Sequence, residues 1–285
     1  MTLIYKRVCN LLQKMLNFVT MTENMQHNDF MTDENKSVLT KSWFLTAGET
    51  DARGLMPVTL VAARAIEVAT EHANVLGIGY ADLKEHRLGW VLARLTIEMK
   101  RYPRINETYT MSTWIEGYNR RFSDRCFEMT DADGNTVANI RSMWVAIDME
   151  TRAMADLTQV ETGRYPIVDR PCPVAKDRIP AIEKDAVVEA GTYTFRYCDI
   201  DFNRHVNTIR YLDLVLNQRP LEFYDHNSID RLSVSFDHEC YFGETVRLLT
   251  GPAAREAESS VTEIHAEGRR AVGVKLHFMP REQVE

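Results

Sequence analysis

One pattern governs what this chain can fold into: strand, helix, four strands, and then the same succession again. Val38 to Thr46 is rich in β-branched and aromatic residues and reads as a strand. Pro57 opens a helix at a position proline tolerates, and Leu60, Val61, Ala65, Val68, Ala69 and His72 follow at helical spacing. Strand patterns follow at 90–99, 109–115, 122–130 and 137–147, the last two joined by an Asp133-Gly134-Asn135 turn. A polar stretch punctuated by Pro166, Pro171, Pro173 and Pro180 reads as an extended linker. Then come a strand at 191–197, a helix running to Leu216, and strands at 232–236, 245–249, 260–266 and 271–278.

The repeat is also visible in the letters. Asn106-Glu107-Thr108-Tyr109 answers Gly243-Glu244-Thr245-Val246 at an offset of 137 residues. Asp131-Ala132-Asp133-Gly134 answers His265-Ala266-Glu267-Gly268, and 137–141 answers 271–275, both at 134. The expectation is an α+β fold of two units, each a long helix wrapped by an antiparallel sheet. Joined edge to edge, they form a pseudo-dimer with one continuous sheet and a cleft where the halves meet. Residues 1–35 are expected to be a loosely held extension, 36–155 the first unit, 156–188 the linker and 189–285 the second unit.

The chemistry concentrates at Asp199-Ile200-Asp201-Phe202-Asn203-Arg204-His205-Val206-Asn207. Polar side chains at every second position would share one side of an extended arm. Val206, Ile209, Leu212, Val215 and Leu216 then recur at helical spacing, so the arm runs into a helix, with Asp201 and Asn203 as N-cap types. His205 would sit near the positive end of that helix's dipole, which favours a neutral, proton-accepting ring. Glu239, at the end of the 232–236 strand pattern, is a candidate general base.

Four readings of this group stand open on residue chemistry: water activated by Glu239 or His205, attack by Cys240 with His205 as base, a metal site, or acyl binding without chemistry. Cys198, His205, His238 and Cys240 are ligand types, but their spacings match no common zinc pattern, so no metal or other cofactor is expected. The net charge of -7 argues against nucleic acid as main partner, and no apolar run is long enough to span a membrane. Five widely spaced cysteines without CxxC fit a reducing, cytoplasmic setting.

The stretch from Arg196 to Asn207, with Glu239-Cys240 after a β-strand, resembles the signature of acyl-acyl carrier protein thioesterases of plant plastids and bacteria. Gly89-Trp90-Val91-Leu92-Ala93-Arg94, Arg101-Tyr102-Pro103, Thr113-Trp114 and Ser142-Met143-Trp144-Val145 look like that family's first-domain motifs. The resemblance implies tandem hotdog domains and hydrolysis of a fatty acyl thioester on the carrier's phosphopantetheine arm, in fatty acid biosynthesis. By position, Asp201, Asn203, His205 and Glu239 match the family's catalytic residues, and Cys240 a cysteine there, whether nucleophile or site-lining. An adjacent glutamate disfavours a thiolate, so water activated by Glu239 is preferred over attack by Cys240, with Asn203 and His205 fixing water and thioester and Asp201 orienting the site.

The first half offers Asp51-Ala52-Arg53-Gly54-Leu55 where the second has its histidine loop, which implies one active site per chain. The first half is then expected to supply the acyl pocket, with Trp90, Trp114, Trp144, Met99 and Met111 as candidate liners. An acidic carrier protein calls for a basic docking face, for which Arg120, Arg121, Arg125, Arg204 and Arg210 are candidates. A coenzyme A thioesterase, a hotdog dehydratase and a non-catalytic acyl-binding module are the alternatives; chain length and homodimerisation stay open.

Overall fold

A helix with apolar residues every three or four positions buries one stripe and must lay it on something. In the computed structural model, which describes residues 36–156, 166–254 and 256–280, that helix is α1 (Val58–Val75), capped by Pro57. Val61, Ala62, Ala65, Val68, Ala69 and His72 form its buried side, and the alanines let it lie close to the sheet. On its other side Glu67 takes an ion pair at 2.7 Å from Lys41 of β1 (Val38–Phe44), and Glu71 pairs with the same lysine. The expected 1–35 extension lies outside the described residues, as do 157–165 of the expected linker.

The rest of the first half is a short helix, α2 (Tyr80–Glu85), and strands β2 (Leu88–Met99), β3 (Thr108–Tyr118), β4 (Phe122–Asp131) and β5 (Thr136–Asp148). The second half repeats the order: β6 (Val188–Thr194), α3 (Thr208–Leu216), α4 (Leu221–His226), β7 (Asn227–Phe236), β8 (Thr245–Ala253), β9 (Glu256–Ala266) and β10 (Arg269–Pro280). All ten strands form one antiparallel sheet in the order β1-β3-β4-β5-β2-β7-β10-β9-β8-β6, so the second half mirrors the first. The seam is the β2–β7 pair. There Leu95 opposes Val234 and Ile97 opposes Leu232. The 137-residue offset exchanges these two pairs, which places a pseudo-two-fold axis at the Thr96–Ser233 pair.

Alternation along the strands sends Tyr109, Met111, Phe127, Met129, Val234, Val272 and Val274 inward, onto α1 and α3. One hydrophobic core, containing Val61 and Val68 of α1 with Leu212 and Val215 of α3, crosses the seam. Three details differ from the sequence reading. The second helix is not long: α3 has 9 residues against 18 in α1, and Pro220 caps a separate helix after the break. The arm at 199–207 is not extended; Tyr197–Asp199 forms a 3-10 turn and the chain folds back so that Ile200 bridges to Val206. Asp201, Asn203 and His205 still line one cavity, but Asp199 and Asn207 do not join them. Asp199 is buried, taking hydrogen bonds from Arg196 N and Tyr193 Oη.

The described part of the proline-rich stretch is no free tether. It runs as a strap over the sheet's other face. Trp114 Nε1 donates to Arg170 O at 2.9 Å, Arg141 Nε to Val174 O at 2.7 Å, and Ser233 Oγ to Asp177 Oδ2 at 2.7 Å. The strap thus touches strands of both halves, and its own Val174 is fully buried.

Candidate active site

The turn at 201–205 is built by one carboxylate. Asp201 Oδ1 accepts the N–H groups of Asn203 at 2.8 Å and His205 at 3.2 Å, and Asp201 N donates to His205 O at 2.8 Å. Arg204 takes the left-handed conformation that closes the loop, at φ 65°. The first half folds the same turn. Asp51 Oδ1 accepts from Arg53 N at 2.9 Å and Leu55 N at 3.0 Å, and Gly54 has φ 71°. Leu55 thus stands where the second half has His205. The first-half turn carries no imidazole, and Arg53 there closes onto Asp51 and the Tyr224 carbonyl.

The backbone of His205 bridges to that of Tyr241, and Val206 N donates to Cys240 O at 2.9 Å, which pins the turn beside the segment following β7. This brings His205 Nδ1 to 3.4 Å from Glu239 Oε1. Thirty-four positions apart in the chain, the two groups face one space. Glu239 Oε1 also pairs with Arg152, from the turn after β5 in the other half, while Oε2 has the Tyr241 hydroxyl at 3.5 Å. The Tyr241 ring stands edge-on to His205 with centroids 5.1 Å apart. Asn207, rather than Asp201 or Asn203, caps α3, its Oδ1 accepting from Ile209 N at 2.8 Å.

A cavity of about 550 Å³ opens from these groups into the first half. Asp201, Asn203, His205, Thr208 and Glu239 stand at one part of its lining; Ile66, Ala69 and Ala73 of α1 with Leu92, Trp144 and Ile147 of the sheet supply apolar wall. Tyr80 of α2 and Phe202 of the 201–205 turn, both exposed, meet edge to face at 5.5 Å and both border the cavity. Thr208, the first residue of α3, also lines it, so the N-terminus of that helix, the positive end of its dipole, borders the space.

Cys240 does not line this cavity. Its side chain is 0% exposed within the core, and burial raises its thiol above the ordinary range. Trp90 and Trp144 line the cavity, whereas Trp114, Met99 and Met111 do not. Met99 and Met111 face the common core, and Trp114 lies beneath the strap with Arg170 stacked 4.2 Å from its ring. Arg125 is not a surface residue: it is buried on β4 and donates to His72 Nδ1 at 2.6 Å, so it cannot dock a carrier. Arg120, Arg121, Arg204 and Arg210 are exposed; Arg120 pairs with Asp156 and Arg210 with Asp213. Among the described residues, Cys198, His205, His238 and Cys240 are not gathered into a metal-binding group.

Residues 36–162 match the family profile of the acyl-ACP thioesterase N-terminal domain, and residues 182–279 that of the C-terminal domain. A duplicated hotdog sheet with a histidine–glutamate pair lining its cavity defines the class, and the profiles define the group within it. The chain belongs to the acyl-ACP thioesterase family. The crystal structure of an acyl-ACP thioesterase from Bacteroides thetaiotaomicron superposes with a TM-score of 0.78 at 30% identity, covering 87% of this chain and 100% of that one. The 12:0-ACP thioesterase of Umbellularia californica shares the fold, with a TM-score of 0.75 at 19% identity over 86% of this chain and 98% of that one. Among curated relatives, the chloroplastic oleoyl-acyl carrier protein thioesterase 2 of Arabidopsis thaliana is 27% identical over 213 residues, 69% of this chain. The palmitoyl-acyl carrier protein thioesterase of Cuphea hookeriana is 27% identical over 187 residues, 61% of this chain. The matched regions span 58% and 45% of those two plant proteins.

Proposed function

We propose that this chain hydrolyses the thioester between a fatty acyl chain and the phosphopantetheine arm of an acyl carrier protein, releasing free fatty acid in fatty acid biosynthesis. The observation that carries this reading is the cavity that joins the Glu239–His205 pair to apolar wall from the opposite half. The acyl chain enters that wall and its thioester stops beside His205. Among the described residues, Glu239 Oε2 is the less engaged oxygen, since Arg152 and His205 both approach Oε1. It takes the proton of an attacking water, His205 and Asn203 hold water and carbonyl, and the α3 N-terminus faces the developing oxyanion. Collapse of the tetrahedral species breaks the C–S bond, and the proton taken by Glu239 passes to the departing thiolate.

Asp201 acts through the turn that presents Asn203 and His205. Attack by Cys240 is disfavoured by its burial away from the cavity. The basic carrier-docking face falls to Arg120, Arg121, Arg204 and Arg210, and the free cysteines among the described residues suit a cytoplasmic setting. Thiol release from one acyl chain, presented on carrier protein and on coenzyme A, tests the reading. Glu239→Ala should lower turnover by about 100-fold or more, Cys240→Ser should keep most of it, and reversing Arg120 and Arg121 should raise KM for the carrier-linked substrate alone. Turnover lost with Cys240→Ser and kept with Glu239→Ala would overturn the mechanism; faster turnover on coenzyme A would overturn the carrier assignment.

A further inference from the structure

The wall of the acyl cavity is not apolar throughout. Ser123 and Arg125 of β4 line it. The chemistry lies just past β7, and the strand order β7-β2-β5-β4 puts Arg125 three strands away, on the side remote from Glu239. Arg125 is 5% exposed, yet among the described residues it has no carboxylate partner. Its Nη1 donates to His72 Nδ1 at 2.6 Å and to Thr113 Oγ1 at 3.3 Å. The His72 Nε2 in turn faces Lys36 O at 2.8 Å, so His72 is the neutral tautomer, accepting from Arg125 and adding no charge.

A guanidinium carries five N–H donors. Among the described residues, the Nε and Nη2 of Arg125 have no protein acceptor, and neither is sealed off, since Ser235 Oγ is the one buried side-chain polar atom left unpaired. Arg125 lines the cavity, so an acceptor lodged there is the partner within reach. A plain hydrocarbon tail would cover those donors with methylene groups and leave a buried cation without a counter-charge, which is costly. An oxygen on the tail satisfies them. Trp144 does not compete for them, because its Nε1 donates to Ser142 Oγ at 2.8 Å.

We propose that this site takes an acyl chain whose far part carries a hydrogen-bond-accepting oxygen, a hydroxyl or a carboxylate, and that Arg125 is the residue that reads it. The proposal deepens the thioester-hydrolase reading and rests on it for the orientation of the chain, carbonyl at Glu239 and tail at Arg125. A hydroxyl accepts from Nη2 or Nε; a carboxylate takes both and neutralises the cation.

The test uses one carrier and a ladder of chain lengths, each length with a methyl, a terminal hydroxyl and a terminal carboxyl end. Thiol release is measured for the wild type, Arg125→Met and Arg125→Lys. Binding of uncleavable S-alkyl pantetheine thioethers with the same three ends is measured by calorimetry. The expected result is a wild-type preference for an oxygen-bearing end at the fitting length, which falls by about 10-fold or more in Arg125→Met and is partly restored in Arg125→Lys. The relative response of hydroxyl and carboxyl ends identifies which group the site takes. Equal or better handling of the methyl end at every length, in both turnover and binding, overturns the proposal. So does a preference that survives Arg125→Met. Tail-dependent binding without any thiol release would sink the hydrolase reading and leave oxygen recognition standing. Should Arg125→Met fail to fold, the wild-type panel and Arg125→Lys decide.

Discussion

His72 offers a measurement that reports on the buried end of the cavity without any substrate. It lies on α1, 1% exposed, between the Arg125 guanidinium and the Lys36 carbonyl. Burial, and then the positive charge of Arg125, push its pKa from 6.5 down to about 4. The folded state therefore refuses a proton that the unfolded chain binds between pH 6.5 and about 4. Stability contributed by the neutral ring is complete above pH 6.5, declines as pH falls through that window, and reaches its minimum near 4. At 1.36 kcal/mol per unit, the displacement amounts to about 3 kcal/mol. Arg125, whose guanidinium faces the ring, does not titrate there. His72→Gln is the matched perturbation, since its amide accepts from Arg125, donates to the Lys36 carbonyl and does not titrate. Urea unfolding at a series of pH values across the window should show the wild type losing about 3 kcal/mol more than the variant. Carboxylates elsewhere contribute equally to both proteins and cancel in the difference. Identical pH profiles for the two would refute the claim that His72 is held neutral by this environment.

Two other substitutions probe the site. Arg152→Ala removes the ion pair that holds Glu239 across the seam; turnover should fall by about 10-fold, with little change in acyl binding, and an unchanged rate would show the pair to be incidental. Asp201→Asn keeps the Oδ1 acceptor for Asn203 N and His205 N, whereas Asp201→Ala removes it. Asn should therefore keep most of the turnover and Ala should lose most of it; equal loss in both would mean that the charge of Asp201, and not the turn, is what the reaction needs.

Much of the frame was legible because it rests on periodicity. Strand alternation and the helical spacing of Val61, Ala65, Val68 and His72 are written in local sequence, and the doubled order of elements implied a joined sheet. The pairing of Asp51-Leu55 with Asp201-His205 was also readable, because the same aspartate closes the same turn in both halves. What escaped depends on contacts between distant segments. Arg152 meets Glu239 across 87 residues, and nothing in its neighbourhood marks it as a partner. The strap looked like a linker because proline-rich segments form no regular element whether they pack or not. Arg125 did leave a signal: Ser123, Arg125, Phe127 and Met129 share one face of β4, and the burial of the last two assigns the first two to the interior. Reading it as a surface cation followed from its charge instead of its period.

The strap fixes how the two halves can evolve. By hydrogen-bonding to strands on both sides of the β2–β7 seam, it clamps together two modules that inherited the same plan and now carry different duties. Most of the cavity wall belongs to one module and the histidine turn to the other, so under the proposed function drift in the first would redirect which molecules are accepted while the second stays intact. Exchanging the stretch up to β5 between relatives, with the clamp retained, is then a route to altered selectivity that leaves the His205–Glu239 pair in place.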